Sequence, residues 1–303
     1  MCEQEIIVAF GIDSAYLPHM ATTIASIIAN NKTDCFRFLI IHDGISAADQ
    51  RKAETVAPNQ TFQWCQIVEK RIAKFGTRHH WSKAAYYRLC IPEFASENTK
   101  RVIYLDSDLV VLSNLRTLWE VDLGGRPIGA VYDIMMDSVA FASRWNLSSG
   151  RLKYFNSGVL VLDLEKIRSG NMFAGAYDLI ENHWEELEYT DQCVLNILFW
   201  DNWKVLDPVW NFQRCMAIKE PNHERFALPN EIPTNRHPKI IHYTEHNKPW
   251  SVDAYHPFTW SYYKFLRRTP FWREVNKQAQ TNPMKHLRRY IKTQVNFAGR
   301  RKD

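Results

Sequence analysis

Two carboxylates sit two residues apart inside an apolar run, in "KRVIYLDSDLVVLSNL" (100–115). In an extended chain, residues i and i+2 project to the same side, so Asp106 and Asp108 aim at one point with Ser107 turned away. Two anions that close repel unless a cation lies between them or one keeps its proton. A divalent metal is the simplest remedy. On its own a D-x-D pair is a weak signal, because strand ends collect aspartates in ordinary turns.

Its company strengthens it. "IIHYTEHNKPW" (240–250) sets His242 directly after Ile240 and Ile241, at the carboxyl edge of another expected strand. A lone histidine there is commonly structural. Two carboxylates plus one imidazole, however, make an open site for an octahedral cation. The mix suits manganese or magnesium, and the imidazole favours manganese. Lys248 adds a point charge for phosphate oxygens.

Such residues need a scaffold that brings distant segments together. Apolar runs at 5–13, 36–44, 61–68, 101–106 and 126–133 read as strands. Helical segments are expected at 16–31, 46–57 and 82–94, with Ser46 as an N-cap and Pro92 as a stop. Strand alternating with helix predicts an α/β fold with a mostly parallel sheet covered on both faces. Ligands of such sheets bind beyond the carboxyl ends of the strands, where Asp13, Asp43, Asp106 and Asp133 fall. Asp43 reads as a turn residue. Further on, a strand is expected at 154–164 after an irregular stretch (134–153). Helices follow at 172–187 and 190–200, the latter with Thr190 as N-cap. An extended run at 203–213, a surface excursion at 214–238, a strand at 239–244 and an aromatic helix at 255–272 complete the reading.

The 303 residues are 46% apolar and rich in aromatics, which suits a folded protein with clefts to line and excludes general disorder. The N-terminus lacks the basic segment of a secretory signal, and no apolar run approaches the ~18 residues of a membrane span. Six cysteines show neither C-x-x-C nor zinc spacing and read mostly as reduced core residues. The last twenty residues carry seven Lys or Arg and one Asp, which exceeds the whole formal charge of +5. The body is therefore near neutral, which argues against a nucleic-acid partner. In the tail, Met284, Leu287, Ile291 and Val295 share one helical face beside Lys285, Arg288, Arg289 and Lys292. That pattern suits an anionic membrane surface, with a solvated helix as the plain alternative.

In order and rough spacing, "YLDSDLVV", "YFNSGVLVLDL", "YTDQCVLNILF", "PVWNFQ" and "IIHYTEHNKPW" resemble glycosyltransferase family 8. That family includes glycogenin and the bacterial lipopolysaccharide core galactosyl- and glucosyltransferases. The likeness covers about residues 5–250, and "YYKFLRRTPFW" resembles the C-terminal part of the lipopolysaccharide enzymes. It implies a single Rossmann-like, GT-A type nucleotide-sugar-binding domain (1–250), an aromatic helical extension (251–283) and the basic tail (284–303). It further implies retaining transfer of a hexose from a UDP-sugar, with Mn2+ or Mg2+, to a glycan or glycolipid acceptor such as lipopolysaccharide core. The expected location is cytoplasmic, at the inner face of the membrane.

By the same resemblance Asp106, Asp108 and His242 match metal ligands, and Asp13 and Tyr16 match positions at the base. Arg88, Asn156, Asp191 and Gln192 surround the donor sugar, Asp133 is an acid near it, and Lys248 meets the phosphates. Two positions depart from the pattern: Ala15 where many members have Asn, and Glu245 where many have Gly. Gln192 is a poor nucleophile, so attack on the face vacated by the diphosphate is expected rather than a double displacement. Three other readings remain open: a nucleotide-sugar binder without catalysis, a glycogenin-like self-glucosylating protein, and a metal-dependent phosphohydrolase or nucleotidyltransferase. The last lacks its D-x-D-G-T or Gly-rich loop.

Overall fold

Strand β1 (Ile6–Ile12) is apolar at nearly every position because both of its faces are covered. The protein is seen here as a computed structural model that describes residues 5–67, 75, 82–217, 237–244, 248–251, 256–279, 284, 288 and 291. The strands after β1 are β2 (Phe36–His42), β3 (Thr61–Gln66), β4 (Arg101–Leu105) and β5 (Leu109–Val111). Then come β6 (Ile128–Tyr132), β7 (Phe155–Asp163), β8 (Lys204–Val205), β9 (Phe212–Gln213) and β10 (Ile240–His242). Seven form one sheet in the order β3-β2-β1-β4-β7-β6-β8, and three form a smaller sheet, β5-β10-β9. In the large sheet β1, β2, β3 and β4 run parallel, whereas β7 runs antiparallel to β4 and β6. The fold is the expected α/β type with a mixed, mostly parallel sheet.

Alternation of side chains along each strand divides the core into two layers. Val8, Phe10, Ile103 and Leu105 enter one layer, and Ala9, Val102 and Tyr104 the other. The helix Leu17–Asn30 covers the first layer with Met20, Ile24 and Ile27. Its buried side also carries polar residues. Thr23 Oγ1 donates to the carbonyls of Ser107 and Leu109, and Asn30 Nδ2 donates to Val111 O. Val111 N–H donates to Ser26 Oγ. Positions 23, 26 and 30 share one helical face, so a polar stripe satisfies the outer edge of β5, whose backbone groups would otherwise be buried without partners.

Several local expectations change. Lys83–Cys90 is a 3-10 helix, and Pro92 lies in the first turn of a new short helix, Ile91–Phe94, instead of ending one. Proline lacks only a backbone N–H that the first turn leaves free anyway. The irregular stretch 134–153 contains a helix, Ser138–Arg144, capped by Asp137. The helix expected over 172–187 is confined to Ala176–His183. The extended run 203–213 is broken by a 3-10 turn, Pro208–Asn211, which carries the chain from the large sheet at β8 to the small one at β9. Residues 214–217 are helical, and the rest of the expected excursion, 218–236, lies outside the described residues.

The aromatic segment forms the helix Thr259–Leu266, followed by a second, Trp272–Ala279. Tyr262, Phe265, Leu266 and Phe271 enter the same apolar layer as Met20 and Ile24. Cys65, Cys90, Cys193 and Cys215 are thiols outside any disulfide, as read, but Cys35 is disulfide-bonded. Of the basic tail only Met284, Arg288 and Ile291 are described, and they are helical and exposed. Among the described residues no helix is long and apolar enough to cross a membrane.

Candidate metal centre and active site

The chain leaves the large sheet at Leu105 and enters the small one at Leu109. Asp106–Asp108 is the crossing. It is a bend and not the extended segment expected. The carboxylates still converge, because each backbone hangs on a different sheet. Asp106 N–H donates to Gly158 O at 2.8 Å, and Tyr243 N–H donates to Asp108 O at 2.9 Å. Between them, Ser107 turns away and its carbonyl accepts from Thr23.

His242, at the end of β10, sits opposite Leu109 of β5, which brings it to the crossing. Its Nε2 lies 3.2 Å from Asp108 Oδ1 and 3.6 Å from Asp106 Oδ2. One ligand atom from each residue falls within 4.8 Å of the others. Lys248 Nζ pairs with Asp108 Oδ2 and donates to Tyr243 O at 2.7 Å. Burial works against ionisation of Asp108, but Lys248 and His242 outweigh it and hold the carboxyl well below the usual range.

A chain of hydrogen bonds fixes which nitrogen of His242 faces the acids. Gly158 N–H donates to Asn156 Oδ1 at 3.0 Å, so that atom is the amide oxygen. The same oxygen lies 2.9 Å from Asn211 Nδ2, which must donate to it. Asn211 therefore turns Oδ1 to His242 Nδ1, 2.9 Å away. Nδ1 carries the proton, and in the neutral ring Nε2 is bare. That nitrogen and the two carboxylates face one point, which leaves a place for a cation among them. This donor set fits an octahedral divalent ion with room for further ligands. Gly158 is needed as well: a Cβ there would lie 2.1 Å from His242 Cε1 and 2.7 Å from Asp106 Oδ2.

Arg88 joins this pocket to a second acidic region. Nη2 donates to Asp106 Oδ1 at 2.9 Å, Nε lies 3.0 Å from Asp191 Oδ2, and Nη1 donates to Ser157 O at 2.6 Å. Burial opposes the charge of Arg88, and the two aspartates more than offset it. Ser157 Oγ donates to Asp191 Oδ2, and Ser157 N–H donates to Gln192 Oε1 at 3.0 Å. Gln192 Nε2 and Asn156 Nδ2 both donate to Asp133 Oδ2 at 3.3 Å. Burial raises the carboxyls of Asp133 and Asp191 above the ordinary range, against hydrogen bonds at Asp133 and against Arg88 at Asp191. Thr190, expected as the N-cap, is instead the first residue of the helix Thr190–Phe199, with φ +34°. A β-branched residue in the left-handed region is strained, and here its Oγ1 donates to Asp191 Oδ1 at 3.0 Å.

Asp13 and Tyr16 lie at the end of β1. Asp13 Oδ1 accepts from Tyr16 N–H at 3.1 Å and caps a short 3-10 helix, Ser14–Tyr16. Burial, then the charges of Asp108, Asp13 and Asp106, push the Tyr16 phenol up. The structure thus gathers Asp106, Asp108, His242 and Lys248 in one pocket and Arg88, Asn156, Asp133, Asp191 and Gln192 in a network that adjoins it. Ala15 is exposed, and Glu245 lies outside the described residues. The sequence reading assigned no role to Asn211, Ser157, Gly158 or Tyr104, whose hydroxyl donates to Asp106 Oδ1 at 2.8 Å. A polar Asn in "PVWNFQ" and the glycine inside the strand-like run "FNSGVL" were the available signals.

Two substitutions test the pocket. Asn211→Ala removes the acceptor for Nδ1–H and should weaken manganese binding by about 10- to 100-fold, the usual range for a residue that orients a ligand. Gly158→Ala, whose Cβ overlaps the imidazole, should weaken it by about tenfold or more. Titration calorimetry with manganese reads both, and affinities unchanged from wild type would contradict this ligand set.

The sequence model of glycosyl transferase family 8 matches residues 7–254. Over 291 residues the chain is 30% identical to glycosyltransferase GlyF of Streptococcus pneumoniae, covering 91% of this chain and 68% of that protein. It is 27% identical to lipopolysaccharide 1,2-glucosyltransferase of Escherichia coli K12, covering 93% and 83%. Among solved structures, galactosyltransferase LgtC in complex with donor and acceptor sugar analogues superposes with a TM-score of 0.75 at 24% identity, over 90% of this chain and 100% of that one. At that identity the likeness is one of fold. The family match spans the D-x-D crossing, the Asn156–Gly158 strand, the Asp191–Gln192 helix start and the His242 edge, and the chain belongs to glycosyl transferase family 8.

Proposed function

We propose that this glycosyltransferase moves a hexose, glucose or galactose, from a UDP-sugar to a glycan acceptor with retention of configuration. The acceptor we favour is lipopolysaccharide or lipooligosaccharide core. The observation that carries the reading is the convergence of Asp106, Asp108 and His242 on one point, with Lys248 beside them. The E. coli relative, a lipopolysaccharide glucosyltransferase, supports the choice of acceptor.

Asp106, Asp108 and His242 would hold a divalent ion, manganese or magnesium, whose chemistry is to offset charge on a diphosphate. Lys248 supplies a second positive charge on the same side. Asp13 and Tyr16 would receive the base at the end of β1. Arg88 keeps Asp106 and Asp191 at fixed spacing, so the phosphate side and the sugar side are set by one rigid guanidinium. Asp133, Asn156, Asp191 and Gln192 would orient sugar hydroxyls and the positive centre that forms as the sugar–phosphate bond lengthens.

Gln192 Oε1 is engaged by Ser157 N–H and Asp191 by Arg88, so neither is an unencumbered nucleophile. We therefore favour attack by the acceptor hydroxyl on the face the diphosphate leaves, its proton passing to a departing phosphate oxygen. Gln192 then steadies the developing positive charge.

We also assign residues 1–250 to the catalytic domain, 251–283 to the extension and 284–303 to a membrane-contacting tail at the inner face of the cytoplasmic membrane. The charge of that tail, beside an otherwise near-neutral body, supports the last assignment.

Incubation with a panel of UDP-sugars and manganese should release UDP from one hexose donor. Asp108→Asn should lower that release by about 100-fold or more, since it removes a charged ligand. Release that ignores both chelation and Asp108→Asn would defeat the metal-dependent reading. Deletion of 284–303 should abolish sedimentation with anionic vesicles while sparing donor hydrolysis. Undiminished sedimentation would remove the membrane assignment.

A further inference from the structure

The helix Thr259–Leu266 lies outside the metal pocket, yet two contacts run from this part of the chain into it. Tyr243, next to His242, donates its hydroxyl to Phe258 O at 3.0 Å. Tyr262, fully buried, lies with its OH 2.7 Å from His19 Nδ1. His19 is buried and neutral, burial pushing it down to about 3. Its ring stacks on Trp250, with centroids 3.5 Å apart and planes 13° apart. Tyr16 packs edge-on against both rings. Trp250 lies in the turn that Ser251 N–H closes on Lys248 O at 3.0 Å. An aromatic relay therefore runs from Tyr262 through His19 and Trp250 to the lysine beside Asp108.

The geometry of this relay needs an explanation beyond packing. An apolar side chain at 262 would fill the same core space, and the helix already buries Phe265 and Leu266. A hydroxyl bonded to one ring nitrogen does something packing cannot: it fixes the in-plane rotation of His19. A ring fixed in rotation limits how the indole stacked on it can tilt, because the two faces lie nearly parallel and in contact. With the indole held, the turn of 248–251 holds the backbone from which the Lys248 side chain reaches Asp108.

We propose that Tyr262 is a positioning residue of the donor site, which acts through His19 and Trp250 to set Lys248 toward the donor's diphosphate. The helical extension is then part of the donor-binding apparatus and not only a cover for the core. This rests on the reading of Lys248 as a phosphate-binding residue.

A double-mutant cycle on UDP affinity, measured with manganese present, tests it. Tyr262→Phe removes one hydroxyl and should raise the UDP dissociation constant about fivefold, the usual weight of one hydrogen bond. In a Lys248→Met background the same change should have no further effect, because the relay then ends on nothing. His19→Phe keeps a ring under Trp250 but cannot bond Tyr262. It should give the same loss and the same coupling to Lys248, and it decides the matter if Tyr262→Phe does not fold. Equal losses in both backgrounds would mean Tyr262 acts on the fold alone, and the inference falls. It falls also if neither substitution changes UDP affinity in an otherwise wild-type protein. Failure of wild-type protein to bind UDP would instead defeat the donor-site reading itself, and the inference with it.

Discussion

An imidazole nitrogen aimed at two carboxylates is the constraint on which the rest of this molecule depends. Its orientation is not a property of the histidine. It begins at a backbone amide, Gly158 N–H, whose direction is fixed by the sheet. The amide groups of Asn156 and Asn211 carry that direction to Nδ1 through alternating donors and acceptors. Reverse any one amide and two donors or two acceptors would face each other in a buried place, at a cost of about 1–3 kcal/mol. The network has one low-energy arrangement, and that arrangement turns Nε2 toward the acids.

Charge is arranged by the same logic. Acids of one residue type are driven in opposite directions by their surroundings. Asp108, beside Lys248 and His242, ionises readily. Asp133 and Asp191 are raised by burial, and their neighbours are amides, two hydroxyls and a guanidinium. The low-pKa acid faces the place where a cation would sit. The raised acids line the side where a neutral, hydroxyl-rich group would lie. Arg88 spans the boundary with one rigid plane, so the two regions cannot move independently.

The small sheet exists to make this meeting possible. β5 and β10 bring Asp108 and His242 together from positions far apart in the chain. A short sheet with an open edge is poorly stable alone. Here the polar stripe of the helix Leu17–Asn30 closes the edge of β5, and the aromatic helices near the C-terminus share the apolar layer beneath. The stability of the metal pocket is thus distributed over both ends of the chain.

The sequence by itself determined the alternation of strands and helices, the mostly parallel sheet, and the residue types at the pocket. Periodicity and apolar runs are local properties, and D-x-D, His242 and Lys248 are legible in combination, as two acids, an imidazole and an ammonium set beside expected strands in the order of a known family. It did not determine the bend at Ser107, the strained Thr190 or the position of Pro92, since periodicity marks where an element lies and not how its ends turn. Nor did it show Asn211 and Gly158 as partners of His242. An asparagine among apolar residues has many possible jobs, and a glycine's lack of a side chain matters only once something occupies its space. Tertiary structure alone chose the nitrogen of His242 that faces the acids, because that choice is transmitted by hydrogen bonds between residues 156, 158, 211 and 242, and no local pattern encodes a bond across such separations.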